Sequence, residues 1–127
     1  MEYGRAIVAD DLARVDLEKS RPVIYDREIE LRLLYEDPVS GAEHYLIRYP
    51  AGLKTKLHRH TASHTIVVLE GLLEVNGRVI GPCAYAHFPA GEPMVHTPAG
   101  GEALHVHRDL QRPGRYERRR RMSSARA

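Results

Sequence analysis

The sequence contains very little cysteine and has no long apolar run. Cys83 is the single cysteine among 127 residues, which excludes an intramolecular disulfide and is typical of a reducing cytoplasm. No apolar stretch approaches the length of a membrane span. The segment from Met1 to Arg5 lacks a charged region followed by apolar residues, so we expect no secretory signal. These absences predict a cytoplasmic protein without a membrane partner.

The positive charge is concentrated near the C-terminus. The net charge is +2, yet residues 112–127 hold seven arginines and one acidic residue, Glu117. A basic run of this kind can bind nucleic acid, but no nucleic-acid motif precedes it, and Tyr116 is its single aromatic residue. We interpret the run as a solvated tail and expect no nucleic-acid partner. The length predicts one domain, with an N-terminal arm or edge strand (1–27), a β-barrel (28–110) and a flexible Arg-rich tail (111–127).

Short alternating runs separated by Gly and Pro turns predict an all-β protein. Asn76-Gly77 is a strong signal for a type I′ hairpin turn, and residues 10–15 could form a helical turn or a loop beside an edge strand. Strands at such close spacing are typical of a sandwich or barrel. The predicted strands are 28–36, 42–49, 54–60, 64–70, 72–75, 78–80, 84–88, 94–97 and 102–108.

Four of the eight histidines form a pattern that indicates a metal site. His58 and His60 are two positions apart in the predicted strand 54–60, and such side chains leave the same face of a strand. His64 opens the next strand after a short turn, and His96 is a single partner downstream. Three histidines at this spacing are unlike a chance cluster on a polar strand. We predict a divalent transition metal as cofactor.

The same residues resemble the first sequence motif of the cupin superfamily of small β-barrels. That motif reads Gly, five residues, His-x-His, three or four residues, Glu, six residues, Gly. Every interval is present from Gly52 to Gly71, with His64 where the family usually has Glu. The second motif, Pro-x-Gly followed by His, is looser here, because four residues rather than two separate Gly91 from His96. The resemblance covers roughly residues 28–108 and implies a double-stranded β-helix (jelly-roll) fold with metal ligands His58, His60, His64 and His96.

An all-histidine set has electronic consequences. Imidazole ligands suit Fe, Mn, Cu, Ni and Zn, and the pattern does not choose among them. Neutral ligands leave the full charge on a divalent ion, which strengthens its Lewis acidity. They also argue mildly against high-valent iron chemistry of the two-His-one-carboxylate type. Such a site favours an anionic, chelating substrate, for example an enolate, a diketone or a hydroxy-acid.

Other histidines compete for the site. His87 could replace His96 if the longer second motif shifts the register. His105 and His107 share one face of the last strand and could line the pocket, although we favour an orientation with Leu104 inward and these two on the surface. His44 is expected to be exposed. The apolar and aromatic side chains that we predict to line a substrate pocket are Tyr45, Tyr49, Tyr85, Phe88 and Met94.

Three functions remain open at this point. The resemblance implies a metal-dependent enzyme acting on a small molecule, and we favour an oxygenase of the dioxygenase type with an enolate, diketone or phenolic substrate. A non-redox isomerase, cyclase or lyase is the alternative, and a non-catalytic metal- or ligand-binding sensor is a third. Strand 64–70 is apolar on both faces, so it should be covered on both sides. That feature is compatible with the homodimer that we expect.

Overall fold

The computed structural model describes residues 5–22, 24–59 and 61–110. Val23, His60 and the predicted tail 111–127 therefore lie outside the described residues. Nine strands and one 3₁₀ turn, Leu12–Arg14, form the described part. The strands are β1 (Glu18–Ser20), β2 (Ile29–Glu36), β3 (Glu43–Tyr49), β4 (Ser63–Glu70), β5 (Leu73–Val75), β6 (Arg78–Ile80), β7 (Tyr85–Phe88), β8 (His96–Pro98) and β9 (Ala103–Leu110).

Two antiparallel sheets enclose the core. The larger sheet has the order β1-β2-β3-β9-β4-β7, and the smaller has the order β6-β5-β8. The buried core includes Ile47, Tyr49, Ile66, Val68 and Phe88 of the larger sheet, together with side chains of the smaller one. The all-β prediction is confirmed, and so is the hairpin: Asn76 and Gly77, with φ of 49° and 84°, join β5 to β6 in the left-handed conformation that a type I′ turn requires.

The predicted strand 54–60 is wrong. Within its described part, Thr55 and His58 make isolated bridges, to Tyr25 and Met94 respectively, and no ladder forms. The segment therefore contacts its neighbours at single residues and has no strand paired along its length. The chain is held there by reciprocal backbone bonds between His58 and Met94, at 3.1 and 2.8 Å.

The central strand of the larger sheet is β9, which pairs with β3 on one side and with β4 on the other. Its register sets His105 opposite Ile47 and Val68, and His107 opposite Tyr45 and Ile66. Side chains at alternate positions of a strand leave the same face. Positions 103, 105, 107 and 109 therefore share the face that lines the barrel interior.

The outer face of the larger sheet is also partly covered. Leu46 and Leu104 are buried although they alternate with interior residues, and residues 9–13 of the N-terminal arm face Leu69 and Leu104 across a surface cavity. Coverage from both sides explains why β4 and β9 carry apolar residues on both faces. Among the described residues, no helix has the length and apolar character needed to cross a membrane.

Candidate metal centre

The candidate centre is a group of buried polar side chains in the barrel interior. His64, His96, His105 and His107 are each at most 4% exposed, and the carboxylates Glu43 and Asp109 are buried beside them. Desolvating so many polar groups is costly unless they are paired or serve a ligand. Such a group in an otherwise apolar core is therefore a functional-site candidate.

His58 and His96 face each other at one side of this group. Their ring centroids are 5.2 Å apart in a T-shaped arrangement. Nδ1 of His58 lies 2.6 Å from the Lys56 carbonyl oxygen. Because a carbonyl can only accept, Nδ1 carries the proton and Nε2 carries the lone pair of this imidazole.

A tyrosine holds His96 in a comparable way. Nδ1 of His96 is 2.7 Å from the Tyr49 hydroxyl, which in turn is 2.8 Å from the Tyr25 hydroxyl. Nε2 of His96 is buried and has no hydrogen-bond partner among the described residues. Burial raises the pKa of Tyr49 well above its usual value, with Tyr25 adding to the effect. Both hydroxyls therefore stay protonated at neutral pH and act as fixed hydrogen-bonding groups.

His64 is held by a carboxylate. Asp109, its cross-strand partner in the register of β4 and β9, contacts Nδ1 of His64 with a carboxylate oxygen. Both side chains are buried. His58, His64 and His96 thus share one feature, in that Nδ1 of each is engaged by a group of the protein.

His107 lies next to both His64 and His96, with ring centroids 5.8 and 5.3 Å away. Its Nε2 is buried without a hydrogen-bond partner in the described part of the chain. Its neighbour His105 packs 4.6 Å from it and meets the Tyr49 ring edge-on at 4.5 Å. The expectation that His105 and His107 lie on the surface is wrong, because the β9 register turns them inward, while the arm covers the outward Leu104.

Burial favours the neutral form of His58, His96, His105 and His107. It lowers the pKa of His96 well below its usual value, and the neighbouring His107 lowers it further. The pKa values of His105 and His107 are likewise lowered well below normal, by burial first and by a neighbouring histidine second. For His58, burial also lowers the pKa, although the Lys56 hydrogen bond opposes it. A neutral imidazole is the form that binds a metal.

These residues fit a divalent cation in several respects. Two imidazoles bound to one ion at about 2.1 Å would place their ring centroids roughly 4.6–5.3 Å apart for angles between about 90° and 109°. The separations of His96 from His58 and His107 lie in that range. The buried Nε2 atom of His96, which has no hydrogen-bond partner among the described residues, is a donor that an ion would satisfy.

The complete ligand set stays a prediction. No three His, Cys, Asp or Glu side chains of residues 5–22, 24–59 and 61–110 converge in metal-binding geometry. The predicted ligand His60 lies outside the described residues. Its distances to His58, His64 and His96 therefore stay untested.

The predicted pocket residues divide into two groups. Tyr49, Phe88 and Met94 are buried in the core, and Tyr45 packs against this core. The Tyr45 hydroxyl donates a hydrogen bond to Glu43 at 3.4 Å. Tyr85 does not join them. It is 67% exposed, because the register of β7 against β4 turns it to the face opposite Phe88.

Two competing histidines also lie elsewhere. His87 is exposed, and its Nδ1 is 2.9 Å from the Thr65 hydroxyl on the outer side of the sheet. His44 is half-buried rather than exposed, against Tyr35 and a surface cavity of about 410 Å³ beside the N-terminal arm. Neither side chain lies with the interior group.

Sequence reasoning missed the carboxylates Glu43 and Asp109, together with Tyr25. A signal for Asp109 was present, since His105, His107 and Asp109 form a polar run with period two. The predicted strand 102–108 ends at Arg108 and leaves Asp109 outside it. The expected composition of the interior changes as a result, because the histidine group also includes the buried side chains of Glu43 and Asp109.

Comparisons with known proteins agree on the fold. No protein-family model matches the chain, and no curated protein matches it. Solved structures do match. A cupin-like protein from Thermotoga maritima has a TM-score of 0.67 at 19% identity, covering 80% of this chain and 82% of that one. The polyketide cyclase RemF from Streptomyces resistomycificus gives 0.67 at 23% identity, with 85% and 82% covered.

An enzyme of another kind has the same architecture. An acetylacetone dioxygenase from Acinetobacter johnsonii matches with a TM-score of 0.67 at 18% identity, covering 87% of this chain and 80% of that chain. At such identities the likeness establishes architecture and leaves activity open. The two sheets, their antiparallel pairing and these matches together show that this chain has the cupin fold of small β-barrels.

Proposed function

We propose that this protein is a metal-dependent cupin enzyme that acts on a small molecule, as an oxygenase of the dioxygenase type. The observation that carries the proposal is the shared state of His58, His64 and His96. Each has Nδ1 engaged by a protein group, respectively the Lys56 carbonyl, the Asp109 carboxylate and the Tyr49 hydroxyl. Hydrogen bonds at the non-ligating nitrogen are the usual environment of metal-bound histidines.

The proposed ligands are His58, His60, His64 and His96, around one divalent ion of Fe, Mn, Cu, Ni or Zn. Such an ion supplies Lewis acidity towards a chelating oxygen donor and, if it is redox-active, electrons for chemistry with O2. Tyr49, Phe88 and Met94 are buried in the core that also holds the imidazoles, and such apolar surroundings would limit the access of water. An enolate, diketone or phenolic substrate fits this setting, because its anionic oxygens would replace water at the cation while its carbon skeleton contacts apolar side chains.

The dioxygenase reading is supported by the architecture shared with the acetylacetone dioxygenase, an enzyme named for a diketone. A specific observation favours the non-redox alternative as well. The polyketide cyclase has the same fold at 23% identity. We further propose a cytoplasmic homodimer without a nucleic-acid or membrane partner.

Metal content tests the site directly. In the double variant His58→Ala/His60→Ala we expect loss of metal retention, measured by elemental analysis of protein purified without added metal. His87→Ala is the matched control, because His87 is an exposed histidine on the outer side of the sheet, and it should retain the wild-type metal content. Full occupancy in the double variant contradicts the assignment.

Oxygen uptake then separates the two activities. Bound Fe, Cu or Mn together with O2 consumption that depends on an added diketone or phenol supports the oxygenase. Bound Zn, no O2 consumption and an isomerised or cyclised product would establish the alternative.

A further inference from the structure

The buried carboxylate of Asp109 contacts His64, the histidine that departs from the cupin motif. Asp109 is 1% exposed near the end of β9, and the sheet register sets it between His64 of β4 and Glu43 of β3. One of its carboxylate oxygens contacts Nδ1 of His64. The chain therefore carries an acidic group in contact with the side chain at position 64, where the motif usually has Glu.

The position of the proton at this contact follows from elementary chemistry. At this contact an ionised carboxylate can only accept, which places a proton on Nδ1 of His64 and, in the neutral imidazole, leaves the lone pair on Nε2. A buried carboxylate without a partner costs several kcal/mol, so the contact restrains both side chains. A carboxylate–histidine pair of this kind raises the basicity of the second ring nitrogen and fixes the orientation of the ring.

We propose that Asp109 is the positioning residue of His64 and supplies, through that imidazole, the negative charge that a Glu at position 64 would supply directly. This inference rests on the proposed metal-dependent function. It means that the substitution of Glu by His moves the carboxylate away from the cation without removing its charge from the centre. The positive charge of a cation at such a site is offset more than it would be by four imidazoles without a carboxylate partner.

Two variants of Asp109 separate its charge from its hydrogen bond. Asp109→Asn keeps the size and an accepting oxygen but removes the charge, whereas Asp109→Leu removes both. For the purified protein loaded with Zn²⁺ or Co²⁺ alone, we expect Asp109→Asn to raise the dissociation constant roughly 10- to 100-fold, and Asp109→Leu to raise it further. Chelator competition measures the constant, and the visible absorption of bound Co²⁺ reports any change in coordination.

A purely structural role would not change the tautomer of His64. In the metal-free protein, nitrogen-15 NMR of the His64 imidazole should show the proton on Nδ1 in the wild type and in Asp109→Asn. In Asp109→Leu the same measurement should show no preference for Nδ1. Glu74→Gln is the matched control, since Glu74 is an exposed carboxylate on β5, outside the buried polar group. We expect it to leave the metal dissociation constant within about twofold.

The outcomes distinguish the two proposals. Wild-type protein that binds the ions while both Asp109 variants bind them equally well overturns the role of Asp109 and leaves the metal site intact. Wild-type protein that binds neither Zn²⁺ nor Co²⁺ overturns the metal-dependent function and the role of Asp109 with it. Should Asp109→Leu fail to fold, the affinity of Asp109→Asn still decides, because an unchanged value refutes the proposed charge effect.

Discussion

Replacing His105 with leucine should make the metal-free protein more stable and less sensitive to acid. His105 is completely buried, and it lies between the apolar cross-strand partners Ile47 and Val68. Neither of its ring nitrogens has a hydrogen-bond partner among the described residues. Burying a polar group in that state costs about 1–3 kcal/mol, and leucine has nearly the same volume. We therefore expect His105→Leu to raise the free energy of unfolding at pH 7 by roughly that amount.

The pH dependence follows from the direction of the pKa shifts. Burial lowers the folded-state pKa of His96, His105 and His107 well below the usual value, which is about 6.5 in an unfolded chain. As the pH falls below about 6.5, the unfolded chain binds protons that the folded chain does not, so stability decreases. Each histidine contributes about 1 kcal/mol of loss between pH 6.5 and 5.5, about 3 kcal/mol for the three. His105→Leu should remove one third of this loss.

Denaturant unfolding at several pH values between 7.5 and 5.5, with a chelator present, measures both quantities. Thr97→Val, a change at a half-buried position of β8, controls for the general effect of replacing a polar side chain in the sheets, and it should leave the pH slope unchanged. A His105→Leu protein that is less stable than wild type by 2 kcal/mol or more, or that keeps the full slope, would refute the reasoning. Such a result would mean that His105 has a favourable partner in the folded state.

Two further predictions concern single contacts. Tyr49→Phe removes the hydroxyl that lies 2.7 Å from Nδ1 of His96, and we expect the Zn²⁺ dissociation constant, measured by chelator competition, to rise about 10-fold or more; equal affinity would contradict this. Gly71→Ala places a methyl group against the Glu102 carbonyl oxygen at a φ of +76°, a conformation that costs non-glycine residues about 1–2 kcal/mol even without the overlap. Thermal unfolding should show a loss above 2 kcal/mol, whereas Gly77→Ala, at a similar φ of +84° with open space around it, should lose less.

Local chemistry made parts of this fold predictable. The turn at Asn76-Gly77 depends on two residues that tolerate positive φ, so the hairpin could be read from the dipeptide. The strand at 54–60 could not be rejected in the same way, because a ladder needs a neighbouring strand along its whole length. Whether such a neighbour exists is a tertiary property that alternation in one segment does not contain.

The orientation of β9 shows a second limit. Leu104 and Val106 alternate with His105 and His107, so either face could have been the interior one. Pattern alone favours the apolar pair inside, and this preference failed because the N-terminal arm partly covers the outer face. The spacing of the histidines at 58, 64 and 96 predicts metal ligands, but Asp109 and Tyr49, which contact Nδ1 of His64 and His96, come from strands far away in the sequence.

The central position of β9 has a consequence for how the chain folds. Its two neighbours in the larger sheet, β3 and β4, precede it by many residues, and until β9 pairs with them each has an open edge beside an unfilled core. Exposed edges of this kind invite pairing with other chains. Because β9 also carries His107 and Asp109, the pairing that joins β3 to β4 through β9 also brings these polar side chains into the interior.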